Sequence, residues 1–171
     1  MDLEYFRTLA RYNRWANQRL YAACGRLLEA EYLKPRAAFF GSLHGTLNHI
    51  LVGDRIWMGR FTDHADGIRS LDQILYVEFA GLHVAREAED AQIVNYVDAL
   101  DLPTLNSTLR YKTMSEPRRS MATPMRFALG HFFNHQTHHR GQAHGLLSQT
   151  AVAPPSLDLI FFLREQAPVE S

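Results

Sequence analysis

The feature that most constrains this chain is a helical stripe that turns from apolar to histidine and back again. With 124–148 read as a helix opened by Thr123-Pro124 as N-cap and first residue, Ala128, His131, Phe132, His135, His139, Gln142 and Leu146 share one face. Its apolar ends must pack against other elements, which carries the polar middle inside with them. A buried polar patch is costly unless it is satisfied. The segment GHFFNHQTHHRGQ (130–142) holds four of the nine histidines, His131, His135, His138 and His139. His135 and His139 are one turn apart, so their rings project together and offer a two-point site for a borderline metal such as zinc or nickel. A third ligand must come from elsewhere, and His49 is the best candidate. A His-x-x-x-His spacing alone is a weak signal. It leaves the 131/135, 135/138 and 135/139 pairs all open, although His131 and His139 lie about 12 Å apart along the axis and cannot both join His135. Gln136 stands where a zinc protease needs its general-base glutamate, which argues against proteolysis.

The rest of the chain supplies the partners for that stripe. Residues 2–27 read as a first helix, with Asp2 as N-cap, Phe6, Leu9, Asn13, Ala16, Leu20 and Cys24 at three- and four-residue steps, and Gly25 near its end. A second helix spans roughly 42–60 from Ser42, a good N-cap. Gly45 and Gly53 bracket His49 by one turn each. A glycine inside a helix costs roughly 0.5–1 kcal/mol relative to alanine, so either another element packs very close there or space beside the imidazole is kept open. A connection over 61–77 is long enough for the third helix, roughly 70–99 with Ser70 as its cap, to run parallel to the second. In that helix REAEDA (86–91) reads as an exposed charged face. Residues 104–122 alternate like a two-stranded hairpin, which must lean on the helices to be stable. Pro154-Pro155 precedes a last short helix at about 156–165, capped by Ser156. Leu129, Phe133 and Leu147 form an offset apolar line on the fourth helix, suited to core or to an oligomer contact.

The 171 residues fit one domain, 1–171, with enough length for a substantial core. Eighteen Lys plus Arg balance eighteen Asp plus Glu, so no global field favours nucleic acid or an anionic membrane. Cys24 is the only cysteine and cannot form an internal disulfide. No apolar run approaches a membrane span and the N-terminus has no signal-peptide core, so a cytoplasmic protein is expected.

YNRWAN (12–17), LNHIL (47–51), NHQTHHRGQ (134–142) and PPSLDLIFFL (154–163) together resemble the DinB-like (DinB/YfiT) family across nearly the whole chain. The resemblance implies a bundle with a parallel second and third helix, and with the elements read above the expected fold is all-α: a four-helix bundle with a long crossover between helices 2 and 3, a small β-hairpin before helix 4 and a short C-terminal helix. It also implies a metal held by one histidine of the second helix and two of the fourth, which here are His49, His135 and His139. Some relatives are metal-dependent transferases acting on low-molecular-weight thiols, and many have no assigned activity.

The leading expectation is a divalent-metal-dependent enzyme carrying one ion, zinc or nickel ahead of iron or manganese. It would add a small thiol to an electrophilic substrate in stress response or detoxification, as a homodimer. Three neutral imidazoles would leave an open position, whereas a structural zinc site fills all four positions with protein ligands. The alternatives are a metal-stapled or small-molecule-binding stress-response protein with no activity, and a hydrolase using metal-bound hydroxide.

Overall fold

The computed structural model describes residues 2–64, 67–114 and 117–167. Helix α1 (Leu3–Cys24) starts where expected: the Asp2 carboxylate accepts the Tyr5 amide at 2.9 Å. A short α2 (Glu29–Leu33), with no clear trace in the sequence pattern, follows. Helix α3 (Leu43–Thr62) is capped by Ser42, whose hydroxyl accepts the Gly45 amide at 3.0 Å. It ends at Asp63 in the left-handed region, φ 55°, a common helix stop.

Helix α4 (Phe79–Ala99) begins nine residues later than the sequence suggests, and Ser70 does not cap it. The backbone of 71–76 is committed to α3 instead. The Leu75 and Tyr76 amides donate to Asn48 Oδ1 at 2.9 and 3.1 Å, and the Leu71 carbonyl meets His49 Nδ1. Those groups cannot serve a helical ladder. Accordingly Leu71, Ile74 and Val77 lie exposed instead of extending the core stripe.

A short α5 (Leu102–Leu105) precedes strands β1 (Thr108–Lys112) and β2 (Ser120–Pro124), which pair antiparallel from Thr108↔Pro124 to Lys112↔Ser120. The hairpin does lean on the bundle: Leu109 is buried in the core and Tyr111 meets the Trp57 ring edge-on at 5.3 Å. Thr123 and Pro124 belong to β2, so α6 (Met125–Leu147) starts one residue after the expected Pro124, its Met125 amide tied to the Ser107 carbonyl. Helix α7 (Leu159–Gln166) starts after Asp158 and not after Ser156. The Leu157 carbonyl is taken by the Tyr12 hydroxyl at 2.7 Å, and Trp15 Nε1 donates to Glu165, pinning α7 to α1.

Cross-helix pairs fix the topology. Asp54 with Arg86 and Phe61 with Tyr96 make α3 and α4 parallel, as the long connection allows. His49 with His139 and Trp57 with His131 make α3 and α6 antiparallel. Tyr21 with His83 and Arg11 with Asp98 do the same for α1 and α4. The four long helices therefore run up, down, down, up.

The two larger apolar clusters among the described residues lie one around Phe6, Ile93, Leu129 and Phe132, the other around Leu20, Leu47, Leu82 and Leu147. Leu129, Phe133 and Leu147 are therefore core and not a spare face. The bundle also buries a polar set made of Asn13, Asn17, Asp54, Arg86, Asp90, Gln136 and Arg140. Arg86 pairs with Asp54 at 2.5 Å and Asp90 at 3.0 Å, while Asn13 and Asn17 donate to Asp90 at 3.1 and 2.9 Å. This corrects the reading of REAEDA as an exposed face. Arg86, Glu89 and Asp90 continue the inward stripe of Leu82, Ile93 and Val97, and they are buried because their charges are paired across helices.

Candidate metal centre

The antiparallel crossing of α3 and α6 brings His49 opposite the His135/His139 turn. One ring nitrogen from each of the three lies within 4.8 Å of the others, so the set could hold a metal ion. The ring centroids stand 4.3 Å apart for His49–His139 and His135–His139, and 5.3 Å apart for His49–His135. His49 is buried; His135 and His139 are partly buried.

The hydrogen bonds around the rings assign their protons. His49 Nδ1 faces the Leu71 carbonyl at 2.7 Å, an acceptor only, so Nδ1 carries the hydrogen and Nε2 a lone pair. His139 Nδ1 faces Gln142 Oε1 at 2.8 Å, with the same consequence. The two Nε2 atoms then point lone pair to lone pair at 3.1 Å. Neutral imidazoles so arranged repel unless a cation lies between them. Oxygen acceptors behind the far ring nitrogens are also the usual way a protein orients histidines towards a metal.

Burial holds the rings neutral. Desolvation, then the neighbouring imidazoles of His139 and His49, push His135 down to about 3. Desolvation lowers His139 to about 4, partly opposed by its bond to Gln142, and desolvation likewise lowers His49. Neutral imidazole is the ligating form.

The two glycines that bracket His49 serve close approach, and neither keeps open space. A Cβ at Gly53 would lie 2.6 Å from Cε1 of His135, so the missing side chain makes room for that ring. A Cβ at Gly45 would collide with the Phe40 carbonyl oxygen. Phe40 in turn stacks on His49 with centroids 3.7 Å apart and planes at 17°.

The other histidines have separate roles. His131 leans on Trp57, its centroid 5.9 Å from that of His135, and His138 is exposed beside His139 with Gln142 Nε2 at 3.3 Å. His44 bonds the Tyr32 hydroxyl, His83 packs on Tyr21 and Phe79, and His144 meets the Pro155 carbonyl. Gln136 is buried and donates to Asp54, far from a base's role. Spacing leaves three histidine pairs open on α6, and the fold brings 135/139 to His49. Sequence reasoning misses Phe40, the Leu71 carbonyl and the role of Gln142. Only Gln142 left a signal, as a residue on the histidine face one turn after His139.

The family model described as the DinB family matches residues 1–170. The chain belongs to the DinB family. It is 28% identical over 163 residues to Protein DinB of Bacillus subtilis (strain 168), a match covering 91% of this chain and 92% of that protein. The helical bundle with its hairpin agrees with the all-α fold expected from the sequence. Among the described residues, no helix is long and apolar enough to cross a membrane.

Proposed function

We propose that this DinB family chain, acting as one domain, binds one divalent metal ion through His49, His135 and His139 and transfers a low-molecular-weight thiol to an electrophilic carbon. The facing Nε2 atoms of His49 and His139, with His135 as third donor, carry this reading. The residues present suit such an ion: three neutral imidazoles, no carboxylate among the donors, and oxygen acceptors behind two of the rings. An ion held by these three neutral imidazoles would keep its full charge, and the chemistry it would supply is the acidification of a bound thiol or water.

The chain's own residues prepare that chemistry. Leu71 and Gln142 fix two ring tautomers, Gly53 admits the His135 ring, and Phe40 covers one face of His49. Cys24 is buried in the apolar cluster around Leu20 and Leu47, is not among the residues that could hold the ion, and has its thiol pushed up to about 12 by burial, so the thiol is taken to arrive as a cosubstrate. In the reaction the thiol gives its proton to solvent and its sulfur forms a bond to the electrophilic carbon; either that carbon's leaving group departs with its bonding pair, or the π pair moves to the neighbouring atom, which takes a proton from solvent. Zinc or nickel suits the all-imidazole set best. We place the protein in the cytoplasm, as a homodimer.

Cobalt substitution followed by thiol titration tests the proposal. A thiolate charge-transfer band should appear on adding a small thiol, with uptake rising with pH because a proton is released. A silent spectrum with several cellular thiols would favour hydroxide chemistry or a structural ion.

A further inference from the structure

The turn over residues 35–41 sets two phenyl rings beside the triad. The Arg36 amide donates to the Gly41 carbonyl at 2.7 Å, Gly41 adopts φ 72°, and the Arg36 guanidinium is held by Glu31 at 3.0 Å. Gly45 lets the Phe40 carbonyl press against the first turn of α3. Phe40 lies flat on His49 and edge-on to His139 at 5.5 Å. Phe39 meets Phe40 edge to face at 4.8 Å and is 86% exposed. A ladder of rings, Phe39, Phe40, His49, thus runs from solvent to the triad.

The triad's other neighbours are uncharged as well: the His131 and His138 rings, the Gln142 amide and the Leu71 carbonyl. Among the described residues, no ion pair reaches any of the three imidazoles. The carboxylate of Asp54 is fully buried and engaged by Arg86 and Gln136. The protein itself therefore offers a charged group docking here no counter-ion, and the proposed ion's charge would be met by the thiolate that it binds.

We propose that Phe39 and Phe40 form the docking wall for the second substrate, an uncharged molecule with an aromatic or apolar body. The proposal rests on reading the triad as the reaction centre. An exposed phenyl on a braced turn presents its face at little entropic cost, and an aromatic or apolar body can stack on it.

The test is an NMR titration of the metal-free protein with benzyl alcohol, alongside benzoate and benzylamine as charged counterparts. Benzyl alcohol should shift the Phe39 and Phe40 ring signals and bind several-fold tighter than either charged probe. Phe39→Ala should weaken it about 3- to 10-fold with the circular dichroism unchanged, and Phe39→Tyr should restore it. Equal affinity in Phe39→Ala, or equal binding of the charged probes, overturns the proposal. So does a shift from dimer to monomer in Phe39→Ala by light scattering, which would assign the ring to a contact between copies. The probe carries no thiol and needs no metal. Loss of metal binding by the wild-type chain, with Phe39-dependent probe binding intact, would therefore count against the metal reading alone.

Discussion

The His135 ring occupies the space that Gly53 leaves free, with Cε1 only 2.6 Å from where a Cβ would stand. Gly53→Ala should therefore displace a proposed ligand while every histidine remains. We expect metal affinity to fall by about 10-fold or more, the scale of lost ligand support, with helix content near wild type. Competition against a chelating dye measures it, and an unchanged affinity would show that the ring can shift freely.

Asn48 links the connection over 63–78 to the site. Its side chain accepts the Leu75 and Tyr76 amides and donates to the His44 and Tyr76 carbonyls. Asn48→Ala should cost about 1–3 kcal/mol for the polar groups left unpaired. It should also speed hydrogen exchange at Leu75 and Tyr76 and, by loosening the Leu71 carbonyl, weaken metal binding. Wild-type exchange rates at those amides would contradict the tether.

The buried ion network should be intolerant of single deletions. Arg86 is 1% exposed and pairs with two carboxylates, Asp54 and Asp90. Arg86→Ala should cost about 3–5 kcal/mol, because it leaves buried carboxylates uncompensated. Adding Asp54→Asn and Asp90→Asn should recover part of that loss. Denaturant unfolding of the three variants checks the order.

Metal-free protein should lose stability in mild acid through the triad. His135 and His139 titrate near 3 and 4 when folded, against an ordinary 6.5. Between those values the unfolded chain binds more protons, so stability is intact above about pH 6.5 and falls as pH drops towards 4. Asp90, raised by burial to about 6, acts in the opposite direction over part of the same window. The comparison with His135→Gln isolates the triad: that variant should show a shallower fall in thermal midpoint between pH 6.5 and 4. Identical slopes would contradict the assigned shift.

What was legible in the sequence follows the range of the interactions. Asp2 and Ser42 cap their helices through side chains that accept from amides three residues further on, so local pattern suffices. The parallel course of α3 and α4 follows from the length of the connection between them. The start of α4 was not legible, because Asn48, some 27 residues away, takes the amides that would otherwise extend it. The burial of Arg86, Glu89 and Asp90 was hidden for the same reason: their compensating partners Asp54, Arg55, Asn13 and Asn17 lie on other helices. At the site, one turn of α6 offers several histidine pairs. The choice of His135 and His139 depends on where His49 meets that helix. Phe40 sits in a turn with no periodic signal at all.

The central claim is that His49, His135 and His139 together hold one metal ion. Its most direct test is metal stoichiometry by mass spectrometry and equilibrium dialysis for wild type, His49→Ala, His135→Ala, His139→Ala and His138→Ala. The account expects one divalent ion per chain in wild type and His138→Ala, and loss of most of the affinity in each of the other three with helix content preserved. Full metal binding by His49→Ala, or its loss in His138→Ala but not in His139→Ala, would contradict it.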